Sequence, residues 1–181
     1  MKLEYTQNDL PENVRVAAIK LLNQQLADAL DLGLQAKQAH WNVKGPHFLS
    51  LHGLFDTVAE SVEEFADVMA ERTAQLGGVA EGTAQVIVRD SRLPVYALDL
   101  YRGSDHLRAL AGAITRFAAS VRSAINAAET AGDSDTADVF TQVSRTSDTL
   151  LWKVGAHLCE PWEHSATGSP LSRSVEPARS A

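Results

Sequence analysis

The sequence predicts an all-α protein: a four-helix bundle whose long connection between the second and third long helices carries a short helix. Three observations lead there. Four segments of about 25 to 30 residues repeat apolar residues at mixed steps of three and four, the period of a helix with one buried face. No stretch sustains the alternation of a half-buried strand. From Val79 to Gly103 the helical pattern fades, and Pro94 forbids a long helix across that interval.

The first segment runs from about Pro11 to Trp41. Pro11 suits a first helical turn, and Leu22, Leu26 and Leu30 recur at spacing four. Gly45-Pro46 then breaks the pattern. The second runs from about His47 to Leu76, where Phe48, Leu51, Phe55, Val58, Val62, Phe65 and Met69 form a bundle seam. Gly77-Gly78 closes it. Ala84 to Val88 is the short piece in the connection, helical or briefly extended. The third segment starts near Ser104, read as its N-cap, with Asp105 in the first turn. Leu107, Leu110, Ile114, Phe117, Val121 and Ile125 carry its buried face, and Gly132 ends it. Asp133 or Ser134 caps the fourth, whose apolar positions are Phe140, Val143, Leu150, Val154 and Leu158 before Pro161 stops it. The bundle therefore occupies residues 11–164, between a flexible segment 1–10 and a flexible tail 165–181 rich in Ser, Pro and Ala.

Composition narrows the function. A chain of 181 residues with 45% apolar content can bury one sizeable core. No run of about 18 apolar residues exists, so no membrane span is expected. The polar start, Met1 to Pro11, lacks a signal-peptide pattern, and the single Cys159 cannot form an internal disulfide. Both favour the cytoplasm. The net charge of −7 attracts cations and opposes DNA. Residues 1–12 hold one base, Lys2, against Glu4, Asp9 and Glu12, so DNA binding is expected to be weak or absent.

The chemistry lies on the second helix. His52, Asp56, Glu60, Glu63, Asp67 and Glu71 share one face beside the apolar seam. Such a face is ordinarily solvated surface. Here it borders packing surface and contains no positive residue, so like charges at spacing four are left unbalanced. A bound cation would relieve them. Carboxylate oxygens with imidazole suit Fe²⁺, Mn²⁺ or Zn²⁺. Asp56 and Asp67 are eleven residues apart, roughly 16 Å along a helix, and cannot hold one ion. Either each chain has two sites, or the His52/Asp56 end of one chain meets the Asp67/Glu71 end of another. A two-fold axis near Ser61 or Val62 would create two equal shared sites. The Glu-x-x-His pairs of an intrachain diiron bundle are absent, which favours the shared arrangement.

Ala39-His40-Trp41-Asn42-Val43-Lys44-Gly45, then Phe48-Leu49 and His52-Gly53-Leu54-Phe55-Asp56, resembles the signature of the Dps family (DNA-binding protein from starved cells), the mini-ferritins of the ferritin-like superfamily. The resemblance continues through Asp67-Val68-Met69-Ala70-Glu71-Arg72 and Leu76-Gly77-Gly78, and covers about Leu21 to Glu160, with Thr136-Ala137-Asp138 opening the last helix. It implies a ferritin-like bundle and a hollow homododecamer with a ferroxidase site at each two-fold interface. His40, His52 and Asp56 would come from one subunit and Asp67 and Glu71 from its partner. It implies Fe²⁺ oxidised to Fe³⁺, preferably by hydrogen peroxide but also by O₂, and mineral stored in the shell. Trp41 would lie close enough to the iron to accept an oxidising equivalent. Glu60, Glu63 and Glu64 are candidates to nucleate mineral, and Asp133 and Asp138 to line a three-fold pore.

Two other readings remain open at this level. One is a nucleoid-associated, DNA-protecting protein with little ferroxidase turnover. The other is a Zn²⁺ or Mn²⁺ buffer. His47, His106, His157 and His164 are scattered and take no functional role, and Cys159 is expected to be buried.

Overall fold

In the computed structural model, which describes residues 3–159, the chain forms five helices: α1 (Glu12–Asn42), α2 (Phe48–Gln75), α3 (Ala84–Asp90), α4 (Gly103–Ala131) and α5 (Ser134–Ala156). The tail 165–181 lies outside the described residues. α1 packs along α2 and α4 along α5, while α1–α4 and α2–α5 contacts close the four-helix ring. α3 lies against α1. The short piece over Ala84 to Val88 is thus helical, and Pro94 lies in the irregular stretch after it.

The expected seams form the core. On α2, Leu51, Phe55, Val58, Val62, Phe65 and Met69 are buried. They meet Leu22, Leu26 and Leu32 of α1, Leu110, Ile114 and Phe117 of α4, and Phe140, Leu150 and Val154 of α5 in one cluster. Phe48 departs from the seam: it is 44% exposed and packs on the His52 ring at 5.1 Å. It opens the helix, where the first turn has not yet entered the bundle.

The turns also follow the chemistry. Gly132 takes φ +92° after α4, a left-handed cap that L side chains rarely adopt, and its N–H reaches the Ala128 carbonyl at 3.1 Å. Asp133 caps α5, accepting from the Thr136 N–H at 3.0 Å. Ser104 does not cap α4. That helix starts two residues earlier, and its N-cap is Arg102, without a side-chain cap. Gly103 allows the early start, because a Cβ there would fall inside contact distance of Leu51.

Polar ties hold the irregular stretches. Residues 3–10 do not hang free: Glu4 N donates to Gly77 O at 2.8 Å and Thr6 Oγ1 to Gln75 O at 3.0 Å. The stretch after α3 is pinned by buried Asp28, which accepts from Arg92 N at 2.8 Å and from the Arg92 guanidinium. Nothing in a helical period announces these ties.

Candidate metal centre

The break at Gly45-Pro46 folds α2 back along α1 and brings His40, near the end of α1, against His52, near the start of α2. The two rings stack with centroids 3.6 Å apart. Each ring also bonds the other residue's backbone: His40 Nδ1 to His52 O at 2.8 Å, and His52 Nδ1 to His40 O at 2.8 Å. A carbonyl oxygen only accepts, so Nδ1 is the protonated nitrogen in both rings. In the neutral imidazoles Nε2 then keeps its lone pair, the form a metal requires.

Asp56, one turn beyond His52, completes this corner, with Oδ1 at 3.8 Å from His40 Nδ1. It is not free. Lys37 on α1, one turn before His40, donates to its carboxylate. That hydrogen bond holds the Asp56 carboxyl below the ordinary carboxylate range, helped by the nearby His40 and His52. In turn, the Asp56 hydrogen bond raises the Lys37 ammonium, with Glu60 and Glu63 adding to it. The acidic face expected to lack a balancing cation therefore has one, supplied by the neighbouring helix. The only signal in the sequence was that Lys37 and His40 are three apart and share a face of α1.

Asp67 and Glu71 lie about three to four turns beyond Asp56 along α2, both exposed. They do not join His40, His52 and Asp56 within the chain, and among the described residues no three His, Cys, Asp or Glu side chains gather into a metal-holding group. Glu60, Glu63 and Glu64 are exposed on the same helix. Trp41 is 67% exposed beside His40.

The expected pore pair separates. Asp138 is exposed on the first turns of α5. Asp133 is 1% exposed, bonded to Arg72 at 2.8 Å and to the Thr136 hydroxyl at 2.6 Å. Its role as a pore residue is corrected: both oxygens are committed to a buried pair and a helix cap. Cys159 is exposed, not buried, because α5 ends at Ala156. His106 is a buried residue of α4, its Nδ1 at 2.6 Å from the Tyr96 hydroxyl. His164 lies outside the described residues.

A bundle of four long helices with stacked histidines and carboxylates along one helix defines a ferritin-like protein, and the ferritin-like domain family model matches residues 19–160. The DNA protection during starvation protein of Agrobacterium fabrum is 44% identical over 160 residues, 88% of this chain and 99% of that one. Among solved structures, DpsC from Streptomyces coelicolor superposes with TM-score 0.85 at 28% identity, covering 90% of this chain and 96% of its own. Mycobacterium smegmatis Dps gives 0.83 at 30% identity, covering 88% and 96%. The chain belongs to the Dps family of ferritin-like proteins. Among the described residues no helix is long and apolar enough to cross a membrane.

Proposed function

We propose that the chain is the subunit of an iron-oxidising, iron-storing shell, with Fe²⁺ as substrate. The observation that carries this is the His40–His52 pair. Each ring spends Nδ1 on the other's carbonyl and so leaves Nε2 for a metal, and the Asp56 carboxylate lies 3.8 Å from His40 Nδ1. These three residues would supply one half of a shared metal site. Asp67 and Glu71 of the partner subunit would complete it across a two-fold axis, and family membership supports assembly into a homododecamer. Neutral imidazoles leave charge compensation to the carboxylates, which favour the ferric product. With hydrogen peroxide the balance is 2 Fe²⁺ + H₂O₂ + 2 H⁺ giving 2 Fe³⁺ + 2 H₂O, which releases no hydroxyl radical. O₂ is the slower oxidant in this reading. Exposed Glu60, Glu63 and Glu64 supply oxygen ligands for hydrolysing Fe³⁺, Asp138 lines the cation entry, and Trp41 accepts an odd oxidising equivalent. Zn²⁺ or Mn²⁺ can occupy the same ligands without turnover. The setting is cytoplasmic.

A second reading, DNA protection with little iron turnover, draws on the name of the Agrobacterium fabrum relative. One experiment separates the two: anaerobic Fe²⁺ loading of the purified protein, then peroxide or air, with ferric absorbance and radical trapping read together. Fast peroxide oxidation with radical yield below a protein-free control supports the ferroxidase, and His52→Ala/Asp56→Ala abolishes it while assembly persists. Oxidation no faster than the control rejects it.

A further inference from the structure

The chain is acidic, yet it gathers bases around one cavity. A hollow of about 510 Å³ opens between the loop after α1 and the start of α4, and Lys44, His47, Arg102, Gly103, Ser104 and His157 stand on its wall. Among the described residues no carboxylate lines it. Among the described residues none of these four bases takes part in an ion pair, whereas Lys37, Arg72, Arg89, Arg92, Arg108 and Arg122 all do. Asp105, the acid next in sequence, is engaged by Arg108 at 3.2 Å.

The backbone fixes this arrangement. An isolated parallel bridge ties Lys44 to Arg102 and holds the two loops side by side. Directly after it α4 begins with no side-chain cap, and its first residues, Gly103 and Ser104, face the hollow. The first N–H groups of a helix have no intrahelical acceptor and stand at the positive end of its dipole. Bases without an ion pair among the described residues and an uncapped helix start, where Gly103 and Ser104 precede the first N–H groups bonded to the Arg102 carbonyl, border one concave space, a combination suited to an anion with several acceptor oxygens.

We propose that this cavity binds a phosphate-type oxyanion, held by Lys44 and Arg102 and by the first backbone N–H groups of α4. Arg102 offers a planar fork and Lys44 a point charge, complementary ways to hold a tetrahedral oxyanion. Free phosphate is the favoured source. A small anion enters a concave site, while a long polyanion also meets the chain's net charge of −7. The inference is independent of the iron reading, since none of its residues is a proposed iron ligand.

The test uses the full-length assembled protein without iron. Orthophosphate is titrated by calorimetry at low ionic strength, against wild type and Lys44→Gln/Arg102→Gln. The expected result is saturable binding near one phosphate per chain, weakened about tenfold or more in the double variant. Both side chains are exposed, so far-ultraviolet dichroism should be unchanged. His157→Gln, at the rim, should weaken binding less. In parallel a DNA duplex is assayed by mobility shift. A shift that vanishes in the double variant, with no orthophosphate binding, would keep the cradle and make backbone phosphodiester its source. Binding of neither ligand, or phosphate affinity unaltered by the double substitution, would overturn the proposal.

Discussion

Lys37 shows how one residue can set the properties of a site that its own helix does not carry. Its hydrogen bond holds the Asp56 carboxyl below the ordinary value of about 3.9. A folded-state value depressed in this way adds stability above the unfolded value and loses it as pH falls through the folded one. The same ammonium competes with any metal for that carboxylate. Lys37→Met should therefore raise the Asp56 carboxyl toward its ordinary value and tighten Zn²⁺ binding several-fold, measured by calorimetry on the iron-free protein. Weaker binding would mean that the lysine orients Asp56 instead. His106 gives a second prediction. Burial pushes its imidazole down, against the opposing influence of Asp105 and the Leu100 backbone, so the fold keeps it neutral. The unfolded chain then binds the extra proton first, and stability should decline as pH falls through about 6.5 and toward the folded value. Burial also raises the Tyr96 hydroxyl to about 12. Tyr96→Phe removes the hydroxyl bonded to His106 Nδ1 and should cost about 1–3 kcal/mol in thermal or urea unfolding.

Among the elements, the joint between α2 and the α4–α5 turn is the most vulnerable. Arg72 of α2 bonds Asp133 and the Thr136 hydroxyl, all three largely buried, and Asp133 also caps α5. Asp133→Ala removes the cap and strands a buried guanidinium, for an expected loss of about 3–5 kcal/mol. A melting temperature close to wild type would show that Arg72 finds another acceptor, with exposed Asp135 already at 3.7 Å. Helix positions and the seams of α2, α4 and α5 were legible in the sequence because a helical face repeats locally. The starts were less so. Ser104 looked like a cap, but the close approach of Leu51 to Gly103 and the Lys44–Arg102 bridge put the first turn of α4 two residues earlier.

For the whole molecule the decisive question is whether each site is built from two copies. Mixing two inactive variants answers it. One carries His52→Ala/Asp56→Ala, the other Asp67→Ala/Glu71→Ala. In a mixed two-fold pair one of the two sites recovers all its ligands and the other loses both halves. After co-refolding at equal amounts, random pairing should restore about a quarter of wild-type ferroxidase activity. No recovery despite proven co-assembly would place the site within one chain. At this scale the acidic balance also predicts no duplex-DNA mobility shift at about 150 mM salt. A shift there would show that a local basic surface, of the kind around Lys44 and Arg102, outweighs the net charge.

The sequence by itself determined the all-α bundle and the placement of its long helices, which depend on short-range periodicity readable from order alone. The proposed iron ligands His40, His52, Asp56, Asp67 and Glu71 entered through a resemblance carried by short motifs, beside the acidic face that the helical period lays along α2. Only the tertiary structure decided which nitrogen each histidine presents, because that depends on carbonyls twelve residues away. It also supplied the Lys37 partner of Asp56, withdrew Asp133 from the pore and gathered the bases of the α4 hollow. Each of these is a contact between elements whose separation in sequence carries no period, so it exists only once the chain has packed.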